Sequence, residues 1–118
     1  MKVYGLTLML RDDPAVIERY KEYHRHVWPE VTARIRQWGI GEMRIFLLQR
    51  RMFMYIETED SFSPATDFAR INEAPKSQEW DTLMRSLQEL APEAALGEWW
   101  ALMEQVFDLN FPAGVQTT

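Results

Sequence analysis

The sequence predicts an α+β fold, with one antiparallel sheet carrying helices on a single face. Three observations carry this expectation. β-prone runs recur at 2–10, 42–49, 52–59 and 101–109; helical periodicity fills the first and third intervals between them; and the second and third runs have the tight spacing of a hairpin. Strand, helix, strand, strand, helix, strand is the split-βαβ, or ferredoxin-like, order.

The first run, KVYGLTLML, suits a buried strand. In the RDDP that follows, Asp13 is placed to accept from free N–H groups while Pro14 opens a helix. From there Val16, Tyr20, Tyr23, Val27, Val31, Ile35 and Trp38 recur at three- and four-residue spacing and define one apolar face, ended by Gly39 and Gly41. Pro29 lies inside this pattern. It removes a helix hydrogen bond and pushes against the carbonyl of Arg25, so a kink is expected just after His24. EMRIFLLQ and MFMYIETE then pair as a hairpin around Arg50 and Arg51. Ser63 is the expected cap and Pro64 the first residue of a broken helical region, which resumes after Pro75 with Trp80, Leu83, Met84 and Leu87 on one side. Pro92 and Gly97 mark a loop, after which the alternation of ALMEQVFDL gives a final strand. Helices on one face leave the other face of the sheet bare, and its Met, Leu, Ile and Phe content predicts cover by a second copy, a homodimer.

At 118 residues the chain holds one core and reads as one domain. Apolar residues make up 47% and aromatics 13%, too much for a disordered chain. A net charge of -5 without a run of like charges argues against a nucleic-acid footprint. With no cysteine there is neither a disulfide framework nor a thiolate metal site, which fits a cytoplasmic protein. No window approaches the roughly 18 apolar residues of a membrane span. The first run also lacks a small-residue cleavage site, so a soluble protein away from membranes is expected. Neither a glycine-rich phosphate loop nor G-x-S-x-G occurs, which disfavours nucleotide and serine-nucleophile chemistry.

The stretch ERYKEYHRHVWPEV, residues 18–31, concentrates reactive side chains. Tyr20 and His24 stand on one helix face, with Trp28 a further turn along. Histidine titrates near neutrality, and a phenol beside it can orient a hydroxyl or share a proton. The same His24 could equally be a partly buried residue satisfied by a backbone carbonyl. His26 projects about 200° away on an ideal helix and should not share the site. Nor does it make a metal pair with His24, for which i and i+4 is the useful separation, so no metal is expected. Glu57, Glu59 and Asp60 could assist acid-base work or be solvated strand-end charges. Trp80, Trp99 and Trp100 could form a platform for the CH face of a sugar, or pack in the core, with Asp81, Glu98 and Glu104 as polar neighbours.

YKEYHRHVWPEV resembles the L-rhamnose mutarotase family, whose members carry a tyrosine, a histidine four residues later, and the Trp-Pro-Glu present here as Trp28, Pro29 and Glu30. GIGEMRIFLL, RMFMYIETEDSF, EWDTLM and EQVFDL fall in the family's order, so the resemblance covers nearly the whole chain. It implies a dimeric α+β barrel of ferredoxin-like subunits and cofactor-free interconversion of sugar anomers. By position it implies His24 as proton donor, Tyr20 as a sugar ligand, Trp80 as a wall of the sugar pocket, and Trp28 beside it. Rhamnose-type members have a tyrosine where this chain has Met43 and a second tryptophan where it has Asp81, both at the sugar site. A related branch with Met-x-Ile-Phe/Tyr at the first of these is similar to proteins assigned to L-fucose. Sites that hydrogen-bond hydroxyls discriminate strongly between epimers. The expectation is therefore a mutarotase of a 6-deoxy-L-hexose, L-fucose at least as well suited as L-rhamnose. His24 would act as acid in ring opening and base in closing, with Tyr20 holding or relaying the second proton.

Residues 1–110 would then form the single mutarotase-like domain and 111–118 a fraying tail in which Phe111 can pack. Two other readings use the same residues. One is a cofactor-independent monooxygenase of the dimeric α+β barrel type; the other is a sugar-binding module without catalysis.

Overall fold

Each of the four helices among residues 1–110, the part of the chain that the computed structural model describes, starts on a proline. A first-turn proline gives up an N–H that has no helical partner anyway, and its fixed φ already suits the helix. In chain order the elements are β1 (Lys2–Leu10), α1 (Pro14–Arg25), α2 (Pro29–Gln37), β2 (Ile40–Leu48), β3 (Arg51–Thr58), α3 (Pro64–Ile71), α4 (Pro75–Leu87), β4 (Gln88–Glu89) and β5 (Ala101–Met103). The tail at 111–118, with Phe111, lies outside the described residues.

Asp13 caps α1 as expected, accepting from the Ala15 N–H at 2.9 Å. Ser63 occupies the cap position of α3, but its hydroxyl makes no cap bond; instead the Asp67 carboxylate reaches back to the Ser63 N–H at 2.9 Å. The kinked helix expected over 14–38 is in fact two helices. His26, at φ -140°, ψ 53°, ends α1, and the chain runs extended through Trp28 before Pro29 starts α2. Restarting at Pro29 avoids both the missing hydrogen bond and the clash with the Arg25 carbonyl that a continuous helix would suffer. At the far end of α2, Gly39 takes φ +91°, the left-handed conformation that closes a helix without Cβ strain.

The sheet runs β2-β3-β1-β4, with β5 also on β1, and its pairs are antiparallel. This is the expected ferredoxin-like arrangement. β1 pairs with β3 from Lys2 opposite Thr58 to Met9 opposite Arg51. The hairpin turns at Gln49 and Arg50, one residue earlier than expected, so Arg51 opens β3. The final strand is much shorter than the run 101–109. β5 covers Gly5–Thr7 of β1, while β4 takes Met9 and Leu10 on the same edge. The alternation beyond Met103 leaves Val106, Phe107 and Leu109 at least 74% exposed, because no strand among the described residues pairs with it.

Alternation along β1 and β3 sends Leu6, Leu8, Leu10, Met52, Met54 and Ile56 to the helix side, where they are buried. Tyr20 and Val31 from α1 and α2, with Trp80, Met84 and Leu87 from α4, close one half of this core. Phe62 and Ile71 close the other half. On the opposite face Phe46 and Phe53 stack at 6.1 Å and, with Leu48, are exposed.

Candidate active site

Between the helices and the sheet lies a cavity of about 1120 Å³. α1 supplies Tyr20 and His24 to it, β2 supplies Met43, and α4 supplies Trp80 and Asp81. The four-residue spacing on α1 brings the Tyr20 and His24 rings into a stack, with centroids 4.2 Å apart and planes 28° from parallel. Trp80 meets the His24 ring at a steep angle, 5.6 Å away.

His24 Nδ1 lies 2.9 Å from the Tyr20 carbonyl oxygen. A carbonyl only accepts, so Nδ1 carries the proton of the neutral ring and Nε2 keeps its lone pair. The backbone partner considered for His24 is therefore present, though it is the carbonyl one turn back and not one released by Pro29. Burial lowers the His24 pKa below its usual 6.5, opposed in part by this hydrogen bond, so the ring is neutral at pH 7. Burial also pushes the Tyr20 phenol up to about 12, against a smaller opposing effect of a hydrogen bond from Gln88.

Trp28 does not line the cavity. Because α1 ends before it, the expected third tier of the stack is missing; its ring packs edge-on against Trp80 at 5.1 Å, with the Lys76 ammonium 5.7 Å over the ring. Asp81 lines the cavity with its carboxylate turned to Arg85, which donates from Nε at 2.8 Å. Trp99 and Trp100 reach the same cavity from the loop after Pro92, so the three tryptophans considered as a platform do converge. Glu98 is occupied in shaping that loop. Its carboxylate accepts the Leu102 and Ala95 N–H groups, each at 3.0 Å, and these hold it below the usual carboxylate range. Glu104 and His26 are exposed and outside the cavity. Glu57 accepts from the Tyr55 hydroxyl on the far side of the sheet, and Asp60 pairs with the N-terminus, so neither reaches the site. Among the described residues no three His, Asp or Glu side chains gather to hold a metal ion.

Three contributors escaped sequence reasoning. Arg85 orients Asp81 and lies 4.6 Å above the Trp99 ring. Ser77, buried one turn before Trp80, lines the same wall. Gln88, also buried, accepts the Trp99 indole N–H at 2.8 Å and donates to the Tyr20 hydroxyl at 3.5 Å. The last two contacts join positions far apart in the chain, and no local pattern marks them.

A family model described as L-rhamnose mutarotase matches residues 3–109, nearly the whole chain. The chain belongs to the L-rhamnose mutarotase family. A Dictyostelium discoideum protein is 45% identical over 114 residues, covering 93% of this chain and 91% of its own. An L-fucose mutarotase of Xanthomonas campestris is 38% identical over 111 residues, covering 92% of this chain and 89% of its own. The crystal structure of an L-rhamnose mutarotase from Formosa agariphila shares the fold, with a TM-score of 0.68 at 17% identity over 92% of this chain and 99% of that one. Both positions at which this sequence departs from the rhamnose-type pattern of the mutarotase family, Met43 and Asp81, line the cavity.

Proposed function

We propose that this protein is a sugar mutarotase that interconverts the α and β anomers of a 6-deoxy-L-hexose. The observation that carries the reading is the Tyr20–His24 stack against Trp80 inside a cavity, in a chain that matches the mutarotase family along nearly its full length. L-Fucose is the favoured sugar: Met43 and Asp81 stand where rhamnose-type members carry a tyrosine and a tryptophan, and the 38% identical relative is named for L-fucose.

Opening a pyranose removes the proton of the anomeric hydroxyl, whose oxygen becomes the C1 carbonyl. The electrons of the C1–ring-oxygen bond go to the ring oxygen, which takes up a proton. Rotation about C1–C2 and the reverse steps close the ring on its other face. Both oxygens are attached to C1, so one imidazole nitrogen can serve both. In this reading neutral His24 accepts the anomeric proton at Nε2, carries it as the imidazolium, and delivers it to the ring oxygen. The resting tautomer thus favours a base-first order in opening, opposite to the acid-first order that the motif alone suggested. A phenol with a pKa near 12 keeps its proton, so Tyr20 holds a sugar oxygen by hydrogen bonding instead of relaying a proton. Trp80 offers its face to the apolar CH side of the sugar. Asp81, oriented by Arg85, takes a ring hydroxyl. Trp28 acts from behind, by bracing Trp80.

The deciding experiment is NMR saturation transfer between the anomeric protons of L-fucose and of L-rhamnose, with wild type and His24→Ala. Enhanced exchange by wild type, lost in a folded His24→Ala, is the expected result, and the faster sugar identifies the substrate. Normal exchange in a folded His24→Ala would remove the histidine's role. The monooxygenase reading predicts oxygen uptake and no effect on anomers, and a binding module predicts sugar binding with unchanged exchange. The family match over residues 3–109 favours the mutarotase over the monooxygenase, and the exchange measurement separates it from the binding module.

The reading includes a homodimer closed through the outer sheet face, where Phe46, Leu48 and Phe53 are exposed. It also includes a cytoplasmic location, which the cysteine-free sequence suits and cell fractionation checks. No helix of the described residues is long and apolar enough to cross a membrane.

A further inference from the structure

The structure assigns Gln88 as a positioning residue: anchored by Trp99, its side-chain amide compels the Tyr20 hydroxyl to donate its proton toward the sugar. This rests on the mutarotase reading and adds to it a residue that neither the motif nor the family resemblance marks.

The argument follows from the donor and acceptor capacities of three side chains. The indole N–H of Trp99 donates and cannot accept, so the Gln88 atom 2.8 Å from it must be the carbonyl oxygen Oε1. That settles which way the amide points. Its other end, Nε2, which donates and cannot accept, faces the Tyr20 oxygen at 3.5 Å. The Tyr20 oxygen therefore acts as an acceptor on this side, and its own proton has to leave in another direction. Tyr20, Gln88 and Trp99 all line the cavity. A phenol otherwise turns freely between donor and acceptor roles; here one role is taken before any ligand arrives. Accepting a hydrogen bond also makes the phenol a stronger donor, as chained hydrogen bonds polarise one another.

Gln88 has the placement that such a task needs. It is 5% exposed and sits where α4 passes into β4, its backbone held on both sides: its N–H donates to the Arg85 carbonyl, and β4 pairs it with Leu10 of β1. An exposed glutamine could turn its amide over, whereas this buried one is held by the Trp99 N–H at Oε1 and by the Tyr20 oxygen at Nε2. The consequence for chemistry is a pair of neighbouring groups with opposite and predetermined polarity. Tyr20 presents a donor, and the neutral His24 ring presents an acceptor at Nε2. A hemiacetal offers the matching pair, a hydroxyl that gives up a proton next to an oxygen that accepts a hydrogen bond.

Gln88→Glu tests the assignment because it keeps shape while changing capacity. As a carboxylate, residue 88 still accepts from Trp99 but can only accept from Tyr20, so the phenol proton turns away from the sugar. As a carboxylic acid it can donate to Tyr20 much as the amide does. Anomer exchange is measured by saturation transfer across pH in wild type, Gln88→Glu, Tyr20→Phe and the double variant. The other ionisable groups lining the cavity, among them His24 on α1, Asp81 and Arg85 on α4 and Glu98 in the loop, are common to all four proteins, so the wild-type profile is their control. The expected result is a loss of about tenfold in kcat/KM for Gln88→Glu at neutral pH, partial recovery at acid pH relative to wild type, and no further loss when Gln88→Glu is added to Tyr20→Phe. Wild-type exchange by Gln88→Glu at every pH, or an equal loss in the Tyr20→Phe background, would overturn it. Should Gln88→Glu fail to fold, Gln88→Met serves: it fills the same space without fixing the phenol, and the same dependence on Tyr20 is required. A wild type that accelerates neither sugar would instead remove the mutarotase reading, so the two failures are separable.

Discussion

His24 can take a proton only in its neutral form, and burial sets where that form is available. Because its pKa lies below the usual 6.5, the neutral ring persists to lower pH than in an exposed histidine, and protonation removes the base only below that point. The acid limb of enzyme-catalysed exchange is therefore expected below pH 6.5, read as kcat/KM against pH after subtracting uncatalysed exchange. A limb at or above 6.5 would mean that the group is not a buried histidine. The stack of Tyr20 on His24 was legible from spacing alone, since helix geometry brings i and i+4 together. Which nitrogen holds the proton was not, because it depends on the 2.9 Å contact to the Tyr20 carbonyl.

Elements begin and end where single residues allow it. Pro29 was read as a kink because apolar periodicity continues across it through Val27 and Val31; periodicity reports which face is buried, not whether the backbone is continuous. The break has a functional consequence, since it turns Trp28 out of the His24 stack and behind Trp80. At the other end of α2, Gly39 allows the turn into β2. Its φ of +91° is unfavourable for any side chain, and an added Cβ would meet the Glu59 carboxylate at 3.0 Å. Gly39→Ala is expected to cost about 1–2 kcal/mol. It should appear as a lower urea midpoint with an unchanged m-value. An unchanged midpoint would show that the turn relaxes without penalty.

The whole molecule presents two unlike sheet faces. One is covered by helices and holds the cavity; the other exposes the Phe46–Phe53 stack and Leu48, close to the strand β1. Gly5 of β1 makes room for this stack, since a Cβ there would stand 2.8 Å from the Phe53 ring. A charge within the Phe46–Phe53 stack opposes self-association, because closing the interface would bury it unpaired. Light scattering should give wild type twice the 14.0 kDa of one chain and Phe46→Asp a single chain with unchanged circular dichroism. A monomeric wild type would remove the shared-sheet dimer. The exposed Val106, Phe107 and Leu109 belong to the same question, as apolar residues that find no strand partner among the described residues.

The sequence by itself determined the helix starts, through Pro14, Pro64 and Pro75, the order of strands and helices, through β-prone runs and helical periodicity, and the shared face of Tyr20 and His24, through a four-residue step. These are properties of a few consecutive residues. Only the tertiary structure decided that Gln88 meets Tyr20 and Trp99, that Trp28 stands behind Trp80, and that β5 stops at Met103. Each depends on which distant segment occupies the neighbouring space, and hydrogen-bond direction and strand length are settled by the partner as much as by the residue itself.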